Sequence, residues 1–104
     1  ISNLEPDFKV INKLKYNGLI ATAPGKSCDF VSRFFAPKLG ILEDPVTGSA
    51  HCDLIPYWSR LLNKKNMIAI QLSSRSGTLY CSYRNERVII GGEAITFMQG
   101  YIFL

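Results

Sequence analysis

Between Gly40 and Trp58 the chain reads GILEDPVTGSAHCDLIPYW, and Glu43, Asp44, Thr47, Ser49, His51 and Cys52 crowd into ten consecutive positions of it. These side chains suit proton transfer and the holding of polar groups. A carboxylate moves a proton or grips an amine or hydroxyl, and a hydroxyl beside it orients it. Asp44-Pro45 has two readings. An aspartate at an N-cap with proline at the first helical position is a common helix start, stabilising by about 1 kcal/mol over alanine. A catalytic aspartate instead turns its carboxylate toward a cleft and leaves capping to Thr47 or Ser49. Asp44, Thr47 and Ser49 together exceed what one helix start needs, which favours a site. Gly48 allows close backbone approach, and the first-turn amides of Gly48, Ser49 and Ala50 form an anion site suited to a carboxylate or phosphate.

The neighbours add less. His51 and Cys52 are consecutive on a helix and point apart, so they do not form a nucleophile–base dyad. His51 reads as a packing residue or a donor behind the site. Arg33 lies in an apolar strand between Val31 and Phe35, where an ion pair to Glu43 or Asp44 would satisfy it. The SSRSG turn, Ser73 to Gly77, has no lysine and no phosphate-loop spacing.

The elements that must position these residues follow from periodicity. SNLEPDFKVINKL predicts a short helix, capped by Ser2 or Asn3, with Glu5 and Asp7 in its first turn and Leu4, Phe8, Ile11 and Leu14 on one face. GLIATA and CDFVSRFFA predict strands, closed by Pro24 and Pro37. SAHCDLIPYWSRLLNKK predicts a long helix burying Leu54, Trp58, Leu61 and Leu62, kinked at Pro56, with Arg60, Lys64 and Lys65 complementing its last turn. MIAIQLS, TLYCSYR, RVIIG and AITFMQGYIFL predict strands, with a turn at Arg84-Asn85-Glu86 and a hairpin turn or bulge at Gly91-Gly92. Two helices and two blocks of strands in this order give α+β and exclude a βαβ dinucleotide fold.

The totals set the outer limits. At 104 residues, 47% hydrophobic and 19% charged, the chain is sized for one globular domain, residues 1–104, with a core of its own. The net charge of +4 is scattered, and no interleaving of basic and aromatic residues points to nucleic acid. No apolar run nears the roughly 18 residues that span a bilayer, and no leader pattern is visible. Three cysteines without CxxC spacing argue against a disulfide framework or a zinc site and lead us to expect a reducing cytoplasm. The chain starts at Ile1 and finishes in GYIFL, so we expect both ends to be internal cuts or elements awaiting a neighbour.

Taken together, EDPVTGSAHC, PYW, QLSSRSG and RVIIGG resemble the phenazine-biosynthesis PhzF-like isomerase family. RFFAPKLGILEDPVTGSAHCDLIPYW follows the family pattern nearly throughout, and the resemblance runs from about Leu4 to Leu104. One departure is Ser76, where the family often has glycine. The resemblance implies a diaminopimelate-epimerase-like superfold, of which this chain is the C-terminal half: a curved, mostly antiparallel sheet around a central helix. It also implies an active site in the cleft between two halves, with the main acid/base glutamate in an N-terminal half that this sequence does not contain. Asp44 then corresponds to the second acidic residue, near where epimerases of this superfold carry a cysteine, and the Gly48 and Ser49 amides with the Ser49 hydroxyl correspond to contacts of the substrate carboxylate. Thr47 and Ala50, at the same helix start, are further substrate-binding candidates. Glu43, His51 and Arg33 would support them.

The function so implied is the C-terminal part of a cofactor-independent isomerase that moves a proton on a small carboxylate-bearing metabolite. No metal or cofactor is expected, and the isolated chain is expected to be inactive. The expected partners are the substrate and the N-terminal half or a second copy, with a homodimer included, and neither nucleic acid nor membrane. The alternative is a non-enzymatic protein-binding or assembly module of the same family.

Overall fold

The computed structural model describes all 104 residues, Ile1–Leu104. Asp7 caps the first helix, α1 (Phe8–Lys13), by accepting from the amides of Lys9 at 3.0 Å and Val10 at 3.1 Å. The expected cap at Ser2 or Asn3 is therefore corrected, and Leu4 is exposed. Pro6 accounts for the later start, because a residue preceding proline is pushed out of the helical region. α1 is anchored by Ile11, which is buried, and by Phe8, whose ring meets Phe35 edge-on at 6.2 Å.

Strands β1 (Leu19–Pro24) and β2 (Phe30–Phe35) pair antiparallel. The long helix α2 (Gly48–Leu62) then carries the chain across to β3 (Asn66–Gln71), which lies parallel to β2. β4 (Gly77–Arg84) and β5 (Arg87–Gly91) follow antiparallel, giving one five-stranded sheet in the order β1-β2-β3-β4-β5. This is the expected α+β arrangement, a mostly antiparallel sheet around one central helix. Asp29 secures the parallel junction: it accepts from the amide of Ile68 at 2.7 Å and pairs with Lys64. Lys64 and Lys65 therefore lie beyond the helix, which ends at Leu62 with Asn63 in the left-handed region at φ 51°, a conformation asparagine tolerates. Only Arg60 complements the last turn.

The core forms where Leu54, Ile55 and Trp58 of α2 meet Phe30, Met67, Ala69, Leu79 and Cys81 of the sheet. Trp58 stacks on Phe30 at 5.5 Å, and its indole nitrogen donates to the Thr22 hydroxyl at 2.9 Å. Leu61 is exposed, which corrects the expected stripe. Ile55 lies at the centre of the buried face, and a residue six positions on is turned about 120° away from it. α2 continues through Pro56 to Leu62. On β3 the residues facing α2 are Met67, Ala69 and Gln71, and the bulkier Ile68 and Ile70 face the other way. That outer face also carries Tyr80 and Ile89, both about half exposed.

Residues 92–104 form neither helix nor strand. The expected strand over AITFMQGYIFL is corrected, and so is the turn or bulge at Gly91-Gly92, because Gly91 simply ends β5 opposite Tyr80. Alternation marks a segment able to be a strand, but a strand forms only against a neighbour, and no strand of this chain pairs with the tail. Ile95, Phe97, Met98, Tyr101, Ile102, Phe103 and Leu104 are each at least 82% exposed. The accessible surface of 7908 Å² accordingly exceeds the roughly 5,900 Å² expected of a folded monomer of this mass. The radius of gyration of 15.5 Å likewise exceeds an expected value of about 13 Å.

Candidate active-site wall

Asp44 does not cap α2. Thr47 occupies the N-cap position, and its side chain makes no capping bond either. Its hydroxyl donates to Asp44 Oδ2 at 2.5 Å instead. Neither Asp44 nor the Thr47 hydroxyl caps the helix, and the first turn of α2 keeps its orphan amides at Gly48, Ser49 and Ala50. Gly48 and Ser49 are exposed, while Ala50 is buried.

The loop that presents Asp44 is held from three directions. The Asp44 amide donates to the carbonyl of Phe34 in β2 at 3.0 Å. Gln71, fully buried at the end of β3, accepts from the Thr47 amide at 2.8 Å and donates to the Asp44 carbonyl at 2.8 Å and to the Thr47 hydroxyl at 3.0 Å. Ser73 donates to the carbonyl of Pro45 at 2.8 Å and itself accepts from the Ser76 amide at 2.9 Å. Sequence reasoning missed both Gln71 and Ser73. The available signal was Gln71 sharing the strand phase of Met67 and Ala69, which places a polar amide in the core beside the helix start.

His51 is fully buried. Its Nδ1 lies 2.7 Å from the carbonyl of Thr47, which can only accept, so the proton sits on Nδ1 and Nε2 is bare. Nε2 has no partner, and the ring packs on Phe30 with centroids 5.9 Å apart. Burial holds this imidazole below its ordinary value, and the Thr47 carbonyl opposes that only in part. The residue therefore packs in the core and donates to the backbone ahead of α2. Cys52 next to it is exposed, so the pair is split as expected.

Arg33 pairs with Glu43 rather than Asp44. The contact is two-pronged, Nε to Oε1 at 2.7 Å and Nη2 to Oε2 at 2.9 Å. Nη1 donates to the carbonyl of Leu4 at 2.7 Å and reaches that of Ile1 at 3.2 Å, and the bond to Glu43 raises the guanidinium pKa despite burial. With these donors engaged, Arg33 and Glu43 tie the start of the chain to the Asp44 loop, and Asp44 is left without a cationic partner.

Beside the helix start lies a cleft of about 450 Å³ lined by Val46, Gly48, Arg75, Gly77, Gly92 and Glu93, among others. Asp44 does not line it. Arg75, which the sequence reading did not single out, supplies a cation there. Gly77 permits the close approach of the loops, since a Cβ at this position would lie 2.3 Å from Val46 Cγ2. Ser76 adopts φ 54°, the left-handed region, which explains why glycine suits this position in the family pattern. No group of three His, Cys, Asp or Glu side chains converges to hold a metal. The three thiols are free, and burial pushes that of Cys81 up to about 11.

Comparison with known proteins gives a consistent answer. Residues 1–100 match the family described as phenazine biosynthesis-like protein. An uncharacterized isomerase of Pseudomonas aeruginosa is 54% identical over 99 residues, covering 95% of this chain and 38% of that protein. The human phenazine biosynthesis-like domain-containing protein is 47% identical over 105 residues, covering 94% of this chain and 36% of the human one. A crystal structure of a PhzF-family phenazine biosynthesis protein from Enterococcus faecalis superposes with a TM-score of 0.89 at 50% identity, over 99% of this chain and 40% of that one. This chain therefore spans well under half the length of the relatives it matches. The agreement of motif, fold and relatives leaves one conclusion: the chain belongs to the phenazine biosynthesis-like (PhzC-PhzF) family.

Proposed function

We propose that this chain forms one wall of the active site of a cofactor-independent isomerase that transfers a proton on a small carboxylate-bearing metabolite. Asp44 gives or takes the proton, or holds an amine or hydroxyl of the substrate. The amides of Gly48, Ser49 and Ala50 receive the substrate carboxylate, where the positive end of α2 favours an anion. The observation that carries this reading is that Asp44, its Oδ2 held by the N-cap Thr47 three residues on, stands ahead of a helix start that no N-cap side chain closes. An N-terminal half supplies the opposite wall and the second acid/base group, so the 104-residue chain alone has no turnover. Thiols kept apart from one another suit a reducing cytoplasm, where we place the protein.

Solvent exchange tests the reading. The full-length protein carrying these residues, incubated with candidate carboxylates in D2O, should incorporate deuterium at carbon. Asp44→Asn should slow that incorporation by about 10²–10⁴-fold, the usual contribution of a positioned acid or base. Incorporation at an unchanged rate in Asp44→Asn contradicts it.

A second reading, an assembly module, is favoured by the exposed apolar tail from Ile95 to Leu104. Through this tail and the outer sheet face a second copy or the missing half would dock.

A further inference from the structure

We infer that Gln71 is a positioning residue that sets the direction of the Thr47 hydroxyl and, through it, the rotamer of the Asp44 carboxylate. The inference rests on the role proposed for Asp44. A glutamine carries one ambiguity, which end of its amide is which. Here both neighbours have a single role. The Thr47 amide only donates, so the end it meets at 2.8 Å is Oε1. The Asp44 carbonyl only accepts, so the end it meets at 2.8 Å is Nε2. A flipped amide would set donor against donor and acceptor against acceptor.

With the amide so fixed, its remaining N–H points at Thr47 Oγ1, 3.0 Å away. The hydroxyl accepts there and has one proton left to give, which goes to Asp44 Oδ2. Gln71 has no exposed surface, so no bulk water competes for either end. Oδ2 is thereby occupied, and Oδ1 is left for a ligand.

The same wiring keeps Asp44 off the helix start. A carboxylate just ahead of three orphan amides is chemically a cap, and a free one would swing onto them and fill the anion position itself. Without the Gln71 donor the Thr47 hydroxyl is free to turn to another acceptor, and Asp44 is released.

The test is NMR on the 104-residue chain. The unaltered chain should show a slowly exchanging Thr47 hydroxyl proton close to the Asp44 side chain, and Asp44 Hα–Hβ couplings of a single rotamer. Gln71→Met and Gln71→Leu each remove the acceptor that meets the Thr47 amide and both donors. In each, the hydroxyl resonance should be lost and the Asp44 couplings should change to those of another rotamer or an average. A folded Gln71→Met chain that keeps both signals overturns the inference. Should both substitutions unfold the chain, Thr47→Val decides: altered Asp44 couplings support the wiring, and unchanged ones overturn it. None of these signals depends on turnover. A released Asp44 in Gln71→Met, with undiminished deuterium incorporation by full-length Asp44→Asn, would uphold the wiring and defeat the catalytic reading.

Discussion

Two side chains near the start of α2, Asp44 and His51, differ most in how their environments treat charge. Asp44 is half-buried, with a hydroxyl on one oxygen. His51 is sealed, with one nitrogen donating to Thr47 and the other unpartnered against Phe30. Protonating it would place an N–H at a buried nitrogen with no acceptor, and burial accordingly lowers its pKa. In the unfolded chain the same group takes its proton near pH 6.5. Below that value the unfolded state binds more protons, so stability is intact above about pH 6.5 and falls as pH drops toward the folded value. The slope is at most about 1.4 kcal/mol per pH unit. Urea unfolding at pH 7.5, 6.5 and 5.5 should show this decline, and His51→Gln should flatten it. Asp29, whose pKa is lowered by Lys64 and the Ile68 amide against the opposing effect of burial, acts in a separate window. It loses its contribution only below about pH 4. At this scale the sequence was informative about Asp44 and the helix start, because Asp, Thr and Ser together exceed a single cap. Gln71 was not legible: its role needs the phase of β3, and the flanking Ile68 and Ile70 draw attention to the wrong face.

Among the elements, α2 and all five strands were readable from apolar spacing and turn residues, although Leu61 of α2 is exposed and the buried face of β3 carries Gln71. The errors have local causes. Asp7 outcompetes Ser2 and Asn3 because its carboxylate reaches two amides at once. Thr47, the residue at the N-cap, gives its hydroxyl to Asp44 because Gln71 has already taken the hydroxyl's acceptor side. The β3–β4 connection shows a further cost. Ser76 sits at φ 54°, where a side chain costs roughly 1–2 kcal/mol. Ser76→Gly relieves that and keeps the amide bond to Ser73, but it loosens the unfolded chain. The net expectation is a gain of about 0.5–1 kcal/mol, seen as a thermal midpoint a few degrees higher. An unchanged or lower midpoint would count against the strain account.

For the molecule as a whole, the surface is too large for its mass and the tail from residue 92 onward is unpaired. Composition alone did not reveal this. A strand-like alternation records what a segment can pair with, and the partner has to be present before pairing is visible. Under the assembly reading proposed above, the exposed tail and outer face are the surfaces a partner would cover. Removing residues 93–104 should abolish any concentration-dependent association in light scattering. It should leave the unfolding midpoint nearly unchanged, because no buried side chain is lost. A monomer at all concentrations with the tail intact would remove the support for the assembly reading.

The proposed function requires the start of α2 to be an anion site rather than a closed cap. Titrating acetate or a hydroxy acid into the 104-residue chain and following the amide resonances tests it most directly. Saturable shifts should concentrate at Gly48, Ser49 and Ala50, with β1 and the tail unaffected. Saturation with no shift at those amides, or shifts spread evenly over the basic surface, would contradict it.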